Sequence, residues 1–106
     1  MLDPFTTKDG SEIREYVHTA VQSLAEATLA PGQATQRHYH RLSEEIYLIV
    51  DGGGAMEVDG QQRDVAAGDA ILIPPGAWHT LVAGEDGTRL LCCCVPPYSH
   101  DDTHFE

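Results

Sequence analysis

Apolar residues along this chain recur in short runs that alternate with polar positions, and turn residues separate these runs at close intervals. Val, Ile, Leu, Thr and Tyr fill the runs, whereas the interruptions hold Gly, Pro and Asp, as in Asp59-Gly60. This pattern predicts strands over Ile13–His18, Leu24–Leu29, Gln36–His40, Glu45–Val50, Ala55–Val58, Arg63–Val65, Ala70–Ile73, His79–Ala83 and Arg89–Val95. Short strands at such regular spacing favour an all-β sandwich or barrel.

Two short segments carry a more specific prediction. Val58-Asp59-Gly60-Gln61 has the sequence of a two-residue β-hairpin. The segment 17–29 also permits one amphipathic helix, because its apolar residues recur at helical spacing, but its end suits a strand equally well. The choice between helix and strand therefore stays open for this segment.

The predicted strand Glu45–Val50 is apolar on both faces. Apart from Glu45, both of its alternating sets are apolar, and one of them consists of Ile46, Leu48 and Val50. A barrel interior covers one face, so the N-terminal residues or a second subunit must cover the other. A chain of 106 residues also builds only a small core. We therefore expect a homodimer.

Charge narrows the range of partners. Six Lys and Arg against 17 Asp and Glu give a formal charge of −11, which repels phosphate backbones and anionic membrane surfaces. We expect neither nucleic-acid nor membrane binding. No apolar run approaches the roughly 18 residues of a membrane helix, and the first 30 residues lack the pattern of a secretory signal. These features predict a cytoplasmic protein.

Three cysteines stand side by side at Cys92, Cys93 and Cys94. Neighbouring cysteines cannot build a spaced disulfide framework, so a reducing compartment fits them better. Alternation along a strand places Cys93 on one face and the other two on the opposite face. We interpret all three as small packing residues, with a redox or metal role as the alternative.

Two histidine-containing stretches carry the candidate chemistry. In the first, His38 and His40 share one face of a strand and Glu45 follows at the start of the next strand, so that two imidazoles and a carboxylate can converge on one ion. Two exposed surface histidines are the competing interpretation of that pair. In the second stretch, Gly68 to His79, a strand ends at a Pro-Gly turn that aims a third histidine.

Together these stretches resemble the two motifs of the cupin superfamily. The first motif is matched by Gly32, His38, His40, Glu45 and Gly52, and the second by Gly68, Pro74, Gly76 and His79, with Ala83 where the family has Asn. The chain looks most like the small single-domain bacterial cupins, including mannose-6-phosphate-isomerase-like proteins. The resemblance implies a single-domain jelly-roll β-barrel that is usually dimeric. Residues 32–95 would form its core, residues 1–31 would add N-terminal strands to the barrel or the dimer interface, and residues 96–106 would form a C-terminal extension.

The resemblance also implies a metal centre, because His38, His40, Glu45 and His79 occupy positions that bind metal in many cupins. This donor set suits a divalent ion of Fe, Mn, Ni or Zn, and on a six-coordinate ion it leaves two open positions. A four-coordinate structural zinc without an open position is the alternative. An open site of net charge near +1 favours a bidentate anion as its ligand.

We therefore predict a metal-dependent enzyme that acts on a small anionic, enediol-type or sugar-like metabolite. The residues do not separate an isomerase, a lyase and a dioxygenase. Tyr47 shares the face of Glu45 and is the candidate catalytic acid or base, with core packing as its alternative role. The alternative function is a noncatalytic metallo-cupin that binds a sugar or carboxylate as a sensor or carrier.

Several nearby residues are expected to lie outside the site. Strand parity points Arg37, Tyr39 and Arg41 away from the metal, and Trp78 opposes His79. The tail, residues 96–106, is interpreted as a solvated extension or a lid.

Overall fold

Strands dominate the part of the chain described by the structure, a computed structural model that covers residues 5–6 and 11–106. They are β1 (Phe5–Thr6), β2 (Glu12–His18), β3 (Ser23–Leu29), β4 (His38–His40), β5 (Glu44–Val58), β6 (Gln61–Ala66), β7 (Ala70–Ile73), β8 (His79–Val95) and β9 (Thr103–Phe105), with one 3-10 turn at His100–Asp102. The all-β jelly-roll prediction is confirmed. Segment 17–29 consists of the end of β2, a turn over residues 19–22 and the whole of β3, so it forms no helix. Within the described residues, no helix has the length and apolar character needed to span a membrane.

Two strands are longer than the sequence predicts. The predicted strands Glu45–Val50 and Ala55–Val58 merge into β5, of 15 residues, and His79–Ala83 and Arg89–Val95 merge into β8, of 17 residues. The glycine-rich segment 51–54 does not end β5. Instead, the register with β8 shifts twice in this region, which marks bulges. Bulges bend a strand and increase its twist without ending it.

Glycine is required at this bend because β5 and β8 approach each other closely. Gly52 has a φ of 70°, and a Cβ added there would collide with the carbonyl oxygen of Gly87. A Cβ at Gly54 would collide in the same way with the carbonyl oxygen of Val82. Gly52 and Gly54, which the sequence pattern suggests as turn residues, therefore allow the backbones of β5 and β8 to pack closely.

The bend allows β5 and β8 to belong to both halves of a curled sheet. The first half of β5 pairs with β7 and with the end of β8, whereas its second half pairs with β6 and with the start of β8. The outer strands complete the order β1-β2-β3-β8-β4-β9. A straight strand of 17 residues would extend about 56 Å at 3.3 Å per residue. The longest dimension of the molecule is 36 Å, so β8 must curve around the interior.

Strand alternation separates a buried interior from an apolar outer face. The interior is filled by fully buried side chains such as Ile49, Met56 and Leu81. On the opposite face of β5, Ile46 is 44% exposed and Leu48 is 39% exposed. The predicted hairpin is also confirmed, since Val58 pairs with Gln61 across a two-residue turn. Both turn residues have positive φ, 48° and 86°, as a type I′ turn requires.

The C-terminal residues differ from the sequence expectation of a solvated extension or lid. Thr103–Phe105 forms β9 and pairs with β4 in the register His40 to Thr103. Asp102 is buried, and its carboxylate accepts hydrogen bonds from the backbone N–H groups of Leu42 and Ser43 at 3.1 and 3.2 Å. Charge-assisted bonds of this kind hold the tail against the loop after β4. The tail is therefore part of the sheet that carries the three predicted histidine ligands, and it pairs with β4, which holds His38 and His40.

Candidate metal centre

The structure brings the four predicted ligands together inside the barrel. His38 and His40 project inward from β4, Glu45 from β5 and His79 from the start of β8, and all four are buried. Candidate ligand atoms of the three histidines lie within 4.8 Å of one another. Direct pairing of His38 with His79 across β4 and β8 places their ring centroids 4.2 Å apart. Convergence thus follows from strand register as well as from the spacing within each motif.

Backbone carbonyl groups orient two of the imidazoles. The Nδ1–H of His38 donates to the carbonyl oxygen of Gln36 at 2.7 Å, and that of His79 donates to the carbonyl oxygen of Ala77 at 2.9 Å. A carbonyl oxygen only accepts, so each Nδ1 carries a proton and Nε2 is the ring nitrogen left to bind a metal. Metal-binding histidines are held in this way by a partner on the other ring nitrogen.

A hydroxyl group from the tail orients the third imidazole. Thr103 Oγ1 lies 3.2 Å from Nδ1 of His40, and the same hydroxyl donates to the carbonyl oxygen of Ser99 at 2.9 Å. With its own proton used in that bond, the hydroxyl accepts from the Nδ1–H of His40. Sequence reasoning missed Thr103, because only the pairing of β9 with β4 brings it to the site.

Glu45 supplies the carboxylate of the cluster. Its Oε1 lies 3.2 Å from Nε2 of His79 and 3.5 Å from Nε2 of His40. Burial alone would raise the pKa of Glu45, but His40 and His79 together hold the pKa well below its ordinary value. Burial, followed by the neighbouring His79, lowers the pKa of His38. These shifts favour a charged carboxylate and a neutral imidazole, the forms in which both groups bind a metal.

Two buried atoms of this cluster indicate whether a metal ion fits the site. Glu45 Oε1 and His79 Nε2 are fully buried, and neither makes a well-directed hydrogen bond in spite of their short separation. Buried polar atoms are almost always hydrogen-bonded. A cation would satisfy a carboxylate oxygen and an imidazole nitrogen that face the same space, so the donor set fits a divalent ion.

A cavity of about 80 Å³ adjoins the cluster. Mostly apolar side chains of β2, β3 and β8 line it, together with His38, His40, Glu45 and Tyr47. Among the described residues, no Lys or Arg lines it. The Tyr47 ring lies 6.0 Å from the His79 ring, so the candidate acid or base faces the same space. The volume is far below the roughly 300–1,000 Å³ of pockets for drug-sized ligands.

Two cysteines belong to the site, which corrects the interpretation of the cysteine run as packing residues alone. Cys92 and Cys94 face inward and donate S–H hydrogen bonds to Oε2 of Glu45 at 2.8 and 3.2 Å. Contact with Cys94, with burial, raises the pKa of Cys92 well above its ordinary value. The contact with Cys92 lowers the pKa of Cys94, but burial and the Glu45 carboxylate outweigh this effect, so the pKa of Cys94 is raised above its ordinary value. Strand alternation predicted that Cys92 and Cys94 share one face. Their contact with Glu45 also requires the pairing of Glu45 with Cys94 across β5 and β8.

Residues predicted to point away from the centre do so. Arg37 lies outside, where its guanidinium donates to the Glu57 carboxylate at 2.7 Å and sits over the Trp78 ring. Tyr39 stacks on His104 of the tail on the same outer side. Arg37 is therefore engaged in a surface ion pair and faces no ligand in the cavity.

The profile of the cupin domain family matches residues 25–96. The uncharacterized protein MJ1618 of Methanocaldococcus jannaschii is 45% identical over an alignment that covers 98% of this chain and 88% of the relative. The dimethylsulfoniopropionate lyase DddW of Ruegeria pomeroyi is 38% identical over 62% of this chain, but this match spans only 43% of the lyase.

Among solved structures, KdgF from Halomonas sp. superposes with a TM-score of 0.84. The match covers 94% of this chain and 90% of KdgF, at 23% sequence identity. At that identity the likeness shows a shared fold.

Proposed function

Because this chain belongs to the cupin family, we propose that it is a small metal-dependent enzyme whose divalent ion is held by His38, His40, Glu45 and His79. The observation that carries the proposal is the pair of buried atoms, Glu45 Oε1 and His79 Nε2, that face the same space without a directed hydrogen bond. A bound ion supplies Lewis-acid polarisation of an oxygen-containing substrate.

The cavity supports a small anionic or enediol-type substrate. Its volume of about 80 Å³ admits only a compact molecule. Since no Lys or Arg of the described chain lines the cavity, negative charge on the substrate has to be balanced at the metal. The apolar walls would exclude water from the part of the substrate that does not contact the metal. Electrostatic contacts between the substrate and the site are stronger where water is excluded.

Tyr47 is the proposed group for proton transfer at this substrate. Its side chain is buried, lines the cavity and lies beside His79. A phenol in that position can donate a proton to a developing alkoxide or hydrogen-bond to it. Isomerase, lyase and dioxygenase chemistry are the three classes compatible with this arrangement.

A noncatalytic metallo-cupin that binds a sugar or carboxylate is the second candidate. Its supporting observation is that the cavity walls formed by β3 and β8 are mostly apolar, which suits simple binding of a small ligand at the metal. The enzyme would convert its ligand, whereas the noncatalytic protein would only bind it. Metal-loaded protein screened against small acids and sugars should convert one of them, and Tyr47→Phe should slow that conversion. Binding without any conversion would favour the carrier.

Metal analysis tests the ligand assignment itself. Protein purified without added metal should hold about one divalent ion per chain, and His40→Ala should lose most of it. His104→Ala is the matched control, because this histidine stacks on Tyr39 outside the site. Full occupancy in a His40→Ala, His79→Ala double variant would contradict the assignment.

We also propose that the protein is a homodimer in the cytoplasm. The exposed apolar side chains of Ile46 and Leu48 support association through the outer face of β5. Three free cysteines support a reducing compartment.

A further inference from the structure

Glu45 stands between two separate donor sets. Its Oε1 faces the imidazoles of His40 and His79, whereas its Oε2 accepts hydrogen bonds from the thiols of Cys92 and Cys94. Each oxygen of one buried carboxylate thus serves a different group. Only the imidazole side is used in the proposed function.

The thiol side has the dimensions of a metal site. The two Sγ atoms are 3.7 Å apart. Two thiolates on one tetrahedral ion, each at about 2.3 Å from it, would lie about 3.8 Å apart. Glu45, Cys92 and Cys94 offer ligand atoms that all lie within 4.8 Å of one another. The spacing of the two sulfur atoms therefore needs almost no adjustment to accept an ion.

The environment of the three donors resembles that of an open metal site. Cys94 and Glu45 are 1% and 2% exposed, so strand packing holds their side chains in place. All three donors also line the cavity, which leaves a fourth position of a tetrahedral ion accessible to water or to a small ligand. Three protein ligands and one open position are the pattern of catalytic zinc sites.

We propose that Glu45, Cys92 and Cys94 form a second metal position, selective for thiophilic divalent ions such as Zn²⁺, Co²⁺ and Cd²⁺. As the ion binds, each thiol releases its proton to solvent and the two S–H bonds to Glu45 are replaced by bonds to the metal. Hard ions such as Mg²⁺ and Mn²⁺ prefer oxygen donors and leave the thiols protonated. The position does not depend on metal at the imidazoles, so this proposal stands apart from the proposed function.

Cobalt titration of reduced, metal-free protein under anaerobic conditions tests the proposal. Sulfur-to-cobalt charge transfer gives a near-ultraviolet band that imidazole and carboxylate ligands do not produce. We expect this band in the wild type and its loss in a Cys92→Ser, Cys94→Ser double variant. Cys93→Ser is the matched control, because this neighbouring cysteine pairs with the exposed Ile46 and points to the outer face.

A His40→Ala, His79→Ala variant separates this proposal from the proposed function. The band should persist in that variant, even if the imidazole site proves not to bind metal. Absence of the band in the wild type, its persistence without Cys92 and Cys94, or its loss in the histidine variant would overturn the second position. Circular dichroism verifies folding of each variant, and X-ray absorption on the cobalt-loaded wild type counts sulfur ligands without any substitution.

Discussion

Replacing Thr103 by Val should weaken metal binding although this residue contacts no metal. The substitution keeps the shape of the side chain and removes the hydroxyl that accepts from Nδ1–H of His40 at 3.2 Å. The imidazole then loses the group that holds its tautomer and its ring orientation. Thr103 is in this sense a positioning residue for His40.

The size of the effect follows from the environment of His40. This side chain is 3% exposed, so water cannot readily replace the acceptor that Nδ1–H loses, and such a loss costs roughly 1–3 kcal/mol. The imidazole escapes that cost by rotating or by shifting its proton to Nε2, and either change spoils the lone pair offered to the metal. Loss of such a partner typically lowers metal affinity about 10–100-fold.

Competition titration with a chelator measures this change as a metal dissociation constant. Thr103→Ser keeps the hydroxyl and should bind within a few-fold of the wild type. Thr28→Val, on the exposed side of β3, controls for the general effect of replacing a strand threonine. Wild-type affinity in a folded Thr103→Val protein would refute the positioning role.

Three further predictions concern the ligand, the assembly and the bend. Oxalate should bind metal-loaded protein in calorimetry and should not bind stripped protein, because no Lys or Arg of the described chain lines the cavity; equal affinity would refute the Lewis-acid mechanism. Light scattering should show a dimer that Ile46→Asp dissociates, since its charge would be buried in the interface; a wild-type monomer would show that this face has no partner. Gly54→Ala should lower the free energy of unfolding by about 1–3 kcal/mol, because the added methyl group would collide with the carbonyl oxygen of Val82. An unchanged melting temperature would contradict the close approach of β5 and β8 at this glycine.

Local patterns were sufficient to predict the parts of the fold that depend on neighbouring residues. Alternation in β5 correctly assigned Glu45 to the interior and Ile46 to the surface. The hairpin at Asp59 and Gly60 followed from residues that tolerate positive φ. His79 was correctly placed at the start of a strand, since a Pro-Gly turn precedes it.

Long-range pairing explains what the sequence did not predict. Gly52 and Gly54 read as turn residues, because their need for close approach to β8 is visible only once the two strands are paired. Thr103 gave no signal, since its role depends on a partner 63 residues away. The contact of Cys94 with Glu45 likewise requires the register between strands that are distant in the chain.

The curvature of β8 limits how the length of this chain can change. His79 at the start of the strand and Cys94 near its end both reach Glu45, because the strand curls around the interior. One residue inserted between them would reverse the alternation beyond it, turning Cys93 inward and expelling the two thiols. The imidazoles would stay in place. The number of residues within β8, between His79 and Cys94, therefore has to stay constant if both groups are to reach Glu45.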